Sequence, residues 1–333
     1  MATIYEVSKL AGVSLATVSR VINKSGTVRP NTAKKVHSAI AELGYRPNMS
    51  AQSLASKKSN CVGVLIPELY GPFFGVMLSS IESELHKAGK RVIVTAGHSD
   101  QAKERDCINF LLSSSCDALI LHVYSVPHEL LEELKNGSVP IVLLNRHNPE
   151  LEEECIWLDN EHGGYEATKT LLDYGHTELA YISGPSWKID SFKRLSGHKR
   201  ALSEYGLVYN DKLTIEGDFE EASGKKAMEK LIKQGIPFTG LVCANDEMAA
   251  GAMGVAREQG IKVPDDLSVI GYDNVFFTDY LNPKLTSIGC CISDMGQMAA
   301  RMVLKKAYGV KGLTIEHAFK PSLVMRESVT RRK

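Results

Sequence analysis

Residues 11–20, Ala11-Gly12-Val13-Ser14-Leu15-Ala16-Thr17-Val18-Ser19-Arg20, carry side chains suited to reading base-pair edges. Two short helices joined by a three- or four-residue turn containing Gly make a helix-turn-helix unit. The second helix of such a unit fits the major groove, with its N-terminal residues toward the bases. Leu15 and Ala16 hold that leading position and could meet thymine methyls, while Arg20, a turn later, could pair with guanine O6 and N7. Thr3, Thr17, Ser19 and Asn23 could donate to phosphates, which fixes register without reading sequence. The competing interpretation is a helical hairpin that merely packs. Charge weighs against it: the 333-residue chain is formally neutral, yet residues 1–60 hold nine Lys or Arg against only Glu6 and Glu42. The rest of the chain offsets that positive excess with an equal acidic one, and a basic arm on an acidic body is the footprint of a small domain that meets a polyanion.

Chemistry of the enzymatic kind is not in view. The sequence has no G-x-x-x-x-G-K-[ST], no G-x-G-x-x-G after a strand and no G-x-S-x-G elbow. Its ten histidines include no H-E-x-x-H or other short-spaced pair; His122 and His128 straddle a strand and a turn. Glu152-Glu153-Glu154 reads as a solvated loop run. Seven scattered cysteines without a C-x-x-C, most inside apolar runs, suit buried thiols in a reducing compartment. No catalytic residue, metal or cofactor is expected. No apolar run approaches the roughly 18 to 20 residues that span a membrane. The opening MATIYEVSKLAGV lacks the basic region and apolar stretch of a secretory signal, so the expected setting is the cytoplasm, without a membrane partner.

The elements that must position these residues follow from periodicity. Thr3 and Glu6 have the spacing of a capping box before Val7, Leu10 and Ala11, and Gly12 stops that helix. Ser14 caps a second helix over Leu15 to Asn23, with Val18, Val21 and Ile22 as its apolar side. Pro30 opens a third, with Val36, Ile40 and Leu43 inward and Gly44 at its end. From residue 61 the rhythm changes: VGVLI, RVIVTA, DALILHV and PIVLLN alternate with amphipathic helices, and ELAYISG, LTIEGDF, TGLVCAND and LSVIGYD repeat the scheme. Continuous apolar strands between helices imply parallel sheets covered on both faces. Two doubly wound α/β units suit about 270 residues, and the cleft beyond the carboxyl ends of their strands is the natural pocket.

The order and spacing of these segments carry a resemblance. IYEVSKLAGVSLATVSRVIN, RPNTAKKVHSAIAELGYRPN and AQSLA resemble the headpiece of the LacI/GalR family of bacterial repressors. PELYGPFFGVMLSSIE, SGPSWKIDSFKRLSGHKRAL, VCANDEMAAGAMGVAREQGIKVPDDLSVIGYDN and PKLTSI continue it over essentially the whole chain. PFFG, NRH and AAGAMGV look closest to the galactose-repressor branch. The implied fold class is α/β: an all-α helix-turn-helix headpiece plus a two-subdomain, periplasmic-binding-protein-like, doubly wound body. The implied division is 1–47 for the headpiece, 48–59 for a hinge helix and linker, and 60–333 for ligand sensing and dimerisation. Within the last, one subdomain takes about 60–160 and 291–322, the other about 161–290 and 323–333.

The resemblance also implies sites. Asn48 and Ala51 would line the minor groove at the centre of a palindromic operator, and Leu54 would be the wedge that kinks it. Leu15 and Ala16 stand where the lactose repressor has Tyr and Gln, which leaves the operator's outer bases open. A small sugar in the cleft would meet Asn145, Arg194, Asn245 and Asp273, each expected at a strand end or in a loop. Arg194 and Asp273 would clamp adjacent hydroxyls, Phe219 would supply an apolar platform, and Phe73 and Phe74 would close the other side. For Asn245 and Asp246 a helix-cap role stands equally beside the ligand role. The implied partners are double-stranded operator DNA, the sugar and a second copy of the chain. The implied mechanism is release of a dimer from DNA by sugar, with two alternatives: a corepressing ligand, or a sugar-binding transport component. RESVTRRK at the end carries no further heptad helix, hence the expectation of a dimer.

Overall fold

The computed structural model describes residues 2–23, 26–46 and 58–332. The chain divides into two compact units, Met1–Asn60 and Cys61–Lys333, each taken by itself below. Asn48, Ala51 and Leu54 lie outside the described residues.

The first unit is three helices around a small core. Helix α1, Ile4–Ala11, begins with the capping box: the Glu6 amide donates to Thr3 Oγ1, and the Thr3 amide donates to Glu6 Oε2 at 2.7 Å. The Thr3 amide and hydroxyl both donate to that carboxylate and hold it below its usual range. Gly12 ends α1 in the left-handed region at φ 65°, a conformation that costs glycine nothing. Helix α2, Leu15–Ile22, starts at Ser14, whose hydroxyl accepts from the Thr17 amide. Asn23 caps its end, so the helix stops one residue short of expectation. Pro30 opens helix α3, Pro30–Leu43, and Gly44 closes it. Val7, Ala11, Val18, Val21, Val36 and Ala39 form the core, which fixes the opposite side of α2 toward solvent.

The second unit contains two six-stranded sheets. The first has order β2-β1-β3-β4-β5-β11, from Arg91–Ala96, Cys61–Ile66, Ala118–Leu121, Ile141–Leu144, Cys155–Leu158 and Ala318–Phe319. The second has order β7-β6-β8-β9-β10-β12, from Thr214–Glu216, Leu179–Ser183, Gly240–Cys243, Ser268–Asp273, Thr286–Gly289 and Ser322–Val324. All pairs are parallel except β10 with β12. The central strands are buried along their length, which is why they read as unbroken apolar runs, whereas the edge strand β2 is partly exposed throughout. β7 keeps only three residues, Thr214–Glu216, of the expected 213–219 run.

The first five strands of each sheet therefore share one topology, in which strand order reverses between β1 and β3 and again between β6 and β8. Ligands in doubly wound sheets bind beyond the strand carboxyl ends at such reversals. After the second sheet is built, the chain returns to the first: helix Ile292–Tyr308 packs on β3, β4 and β5 and on helix Pro72–Lys87. It then supplies β11 to one sheet and β12 to the other.

Candidate ligand cleft and nucleic-acid interface

The cavity between the two sheets opens exactly where the strand orders reverse. About 660 Å³ of space, part of it open to solvent, is bounded by residues that follow strand ends. From the first sheet, Glu68, Tyr70 and Gly71 follow β1, Phe73 and Phe74 lie in the first turn of helix Pro72–Lys87, and Tyr124 follows β3. From the second, Lys188, Asp190 and Arg194 follow β6, Asp218, Phe219 and Glu220 follow β7, Asn245 and Glu247 follow β8, and Asp273 ends β9. Six of the seven residues expected to meet a sugar thus line one cavity. The seventh, Asn145, lies buried behind it, where its amide is 3.5 Å from Asp190 Oδ2 and its carbonyl accepts from Asn160 Nδ2 at 3.3 Å.

Arg194 requires a correction. It does not sit at a strand end or in a loop but in the second turn of helix Ile189–Glu204. Ser191, Arg194, Gly197, His198 and Ala201 recur at three- and four-residue spacing and form the buried face of that helix. Gly164 and Gly197 let it press backbone to backbone on helix Asn160–Asp173: a Cβ at either would stand 2.0 Å from a carbonyl oxygen across the contact. That approach brings Arg194 Nε to within 2.9 Å of Asn160 Oδ1, while Nη1 donates to the Ala244 carbonyl and lies 3.5 Å from Asp273 Oδ1. The guanidinium is stacked 3.7 Å above the Tyr272 ring. Burial opposes its charge, but Asp273 and its neighbours hold the pKa above the ordinary value. Burial pushes the Asp273 carboxyl up to about 6 against the pull of Arg194.

The polar and apolar walls are separately braced. Asn245 is a helix cap and more: Oδ1 accepts from the Met248 amide at 3.0 Å, and Nδ2 donates to the Phe219 carbonyl at 2.8 Å. Asp246 faces away from the cavity, accepting from the Val275 amide and the Ser287 hydroxyl. Phe219 is held at φ 76° and Asp273 at φ 104°, conformations that cost roughly 1–3 kcal/mol each and persist only where their surroundings impose them. A Cβ at Gly184 would come within 2.1 Å of the Phe219 ring, so that glycine keeps the platform's place. Opposite, Phe73 and Phe74 meet edge to face at 5.2 Å, and Phe74 packs on His122 at 5.5 Å. Burial brings His122 down to about 4, so it is neutral near pH 7.

Tyr124 and Asp190 were not singled out from sequence. The Tyr124 hydroxyl donates to Asp190 Oδ2 at 2.6 Å, which spans the two sheets. Burial and that carboxylate push the phenol well above its usual range. Two signals pointed to them: Tyr124 follows a strand just as Asn145 does, and Asp190 precedes Arg194 by four residues on one helical face. Among the described residues, His128, Glu132 and Glu150 bring possible metal-ligand atoms within 4.8 Å of one another, but none of them lines the cavity.

In the first unit, Ala16 and Arg20 are exposed on the side of α2 opposite Val18, with Asn23 just past its end. Leu15 is half-buried, a quarter-turn or so nearer the core. The other polar candidates bond locally: Thr3 Oγ1 donates to Glu6, Thr17 Oγ1 is 2.9 Å from Ser14 Oγ, and Asn23 Nδ2 donates to Ser19 Oγ.

Comparison with known proteins agrees with this layout. Residues 3–48 match the family pattern of bacterial regulatory proteins, lacI family. Residues 168–329 match the periplasmic binding protein-like domain. The HTH-type transcriptional regulator GalR of Escherichia coli K12 is 39% identical over 99% of this chain and 96% of its own. The chain belongs to the lacI family. GalS of Salmonella typhimurium LT2, 35% identical over 100% of this chain and 98% of its own, extends the likeness to the galactose-repressor branch. A solved lac repressor dimer, bound to operator and the anti-inducer ONPF, superposes with TM-score 0.87 at 29% identity, covering 99% of both chains. This lacI-family chain is accordingly a helix-turn-helix transcriptional regulator with a periplasmic-binding-protein-like body, and not an enzyme.

Proposed function

We propose that the chain is a homodimeric, cytoplasmic repressor of a pseudopalindromic operator, released by a small sugar of galactoside or glucoside type. The observation that carries this reading is the cavity at the two strand-order reversals, with the Arg194–Asp273 pair and Asn245 on one side and aromatic rings on both. Fixed donors and acceptors are what a polyol needs, since each buried hydroxyl left unpaired costs on the order of 1–3 kcal/mol. Phe219 offers a face to the apolar side of a sugar ring, and Phe73 and Phe74 close the far wall. In the headpiece, Ala16 and Arg20 would read base edges, with Leu15 at the side, and Thr3, Thr17, Ser19 and Asn23 would hold phosphates. Asn48, Ala51 and Leu54, within a hinge at 48–59, would engage the minor groove once two copies meet on DNA. The headpiece would then end at about residue 47, and the sensing body would occupy 60–333.

In this mechanism the empty cleft leaves the dimer competent for operator. Sugar held on the second sheet by Arg194 and Asp273 and covered from the first by Phe73 and Phe74 draws the two sheets together and disfavours the hinge arrangement that DNA requires. The test is fluorescence anisotropy of a labelled pseudopalindromic operator at fixed salt, titrated with galactose, glucose, ribose and cellobiose. Release by one of them supports the inducible repressor and identifies its ligand; tighter binding would reverse the sign and make the ligand a corepressor.

A further inference from the structure

The cleft carries more acid than hydroxyl recognition requires. Asp273 is 3.5 Å from Arg194, and Asp190 is the leading opposing charge on Lys188, so these four balance. Four lining carboxylates remain: Glu68, Asp218, Glu220 and Glu247. Glu68 has His98 at 2.9 Å. Among the described residues the other three take part in no ion pair, although they face the same space. Asp218 and Glu220 flank the Phe219 platform, and Glu247 stands in the first turn of helix Asp246–Glu258. They act on one another: burial, then Glu220 and Asp273, lift Glu247, and burial, then Asp218 and Glu68, lift Glu220. Lys188, already set against Asp190, does not reverse the balance; its ammonium lies over the rings of Tyr124 and Phe219, 4.8 and 5.6 Å from their centroids.

We infer that this cleft ranks sugars by charge: one bearing an ammonium group binds tightest, its neutral parent next, and its phosphate last. The inference rests on the sugar reading of the site and specifies the ligand class within it. An ammonium group donates to carboxylates through charge-assisted hydrogen bonds, roughly twice as strong as neutral ones. A phosphate brings about 1.5 to 2 negative charges at neutral pH into a space that stays in acidic excess even with Glu247, at about 7, only half ionised. Asp218, Glu220 and Glu247 are then specificity-determining residues, while Arg194 and Asp273 hold the ring hydroxyls common to all three ligands.

Isothermal titration of the full chain at neutral pH and about 0.1 M salt, where screening acts over roughly 10 Å, tests the ranking. The probes are glucose and galactose, glucosamine and galactosamine, and glucose 6-phosphate and galactose 1-phosphate. The amine of the preferred sugar is expected to bind about tenfold tighter than its parent, a difference of about 1.4 kcal/mol, and the phosphate at least about tenfold weaker. E220Q and E247Q together should shrink the amine preference to about threefold or less. A phosphate that binds as tightly as the parent, or an amine that binds more weakly, overturns the ranking and leaves the sugar site standing. No binding by any of these probes, nor by ribose or cellobiose, removes the sugar reading and this inference with it.

Discussion

Arg194 spends two donors on Asn160 and the Ala244 carbonyl and still faces Asp273 across 3.5 Å. A hydroxyl placed against that pair can accept from one and donate to the other, which would make the pair a better ligand contact than either residue alone. Deleting the arginine would leave a buried carboxylate unpaired, a loss of about 3–5 kcal/mol that would blur any effect on ligand. Asp273→Asn keeps the shape, and Arg194 retains its bonds to Asn160 and Ala244 and the nearby charge of Asp190, so it is the sharper variant. It should weaken sugar binding at least about tenfold while operator binding without sugar persists, since a hydrogen bond to a charged group is worth about 1.5–3 kcal/mol. Unchanged operator release by sugar in that variant would take Asp273 out of the site. Glu247 makes a separate statement about pH. Its carboxyl rises from an ordinary 4.5 to about 7 in the folded chain, so between those values the folded state binds more protons than the unfolded one. Stability attached to this group is therefore present below about 4.5 and lost as pH rises through about 7. Glu247→Gln does not titrate, and the melting temperature of that variant minus wild type should grow from pH about 5 to about 8. A flat difference would mean that water already screens the carboxylate.

Between residue and whole stand the helices that carry the site. Helix Asn160–Asp173 and helix Ile189–Glu204 meet through Gly164 and Gly197, and the carbonyl that a Cβ at Gly164 would strike belongs to Arg194 itself. Gly164→Ala must push the two helices apart, and overpacking of this kind costs typically about 1–3 kcal/mol. The variant should melt lower and, because Arg194 moves with its helix, should also respond to sugar at higher concentration. A lower melting point with an unshifted sugar response would separate the helix contact from the site. This scale also explains what could be read beforehand. Caps were legible, because Thr3, Ser14, Pro30 and Gly44 act within one turn of where they stand. Strands β1, β3, β4, β6, β8 and β9 were legible because burial on both faces leaves unbroken apolar runs. Arg194 was misplaced because SFKRLSGHKR interleaves charges with the inward positions, and the inward face includes an arginine, a histidine and an aspartate. Such a face has no apolar period to follow. Tyr124 with Asp190 was missed because their bond joins positions 66 apart in sequence, which only the topology of two sheets brings together.

At the scale of the molecule, operator binding by the basic headpiece and sugar binding by the acidic body, as proposed, would be two equilibria tied by thermodynamic linkage. If saturating sugar weakens operator binding by some factor, saturating operator weakens sugar binding by that same factor. A coupling of about 1–3 kcal/mol corresponds to roughly 5- to 150-fold. The first factor comes from operator anisotropy with and without sugar. The second can come from intrinsic fluorescence, because Trp187, one of two tryptophans, is exposed and 6.3 Å from the Tyr124 ring at the cleft. The same pair of titrations separates the charges involved. Operator affinity should fall steeply with salt, with a log–log slope of about −0.9 for each phosphate contacted. A neutral sugar releases no counterions, so its affinity should hardly move. Equal coupling factors at each salt concentration would mean that the cycle of sugar and DNA binding closes on one dimeric species. Unequal factors would show that a further equilibrium, such as dissociation of the dimer when sugar binds, absorbs part of the coupling.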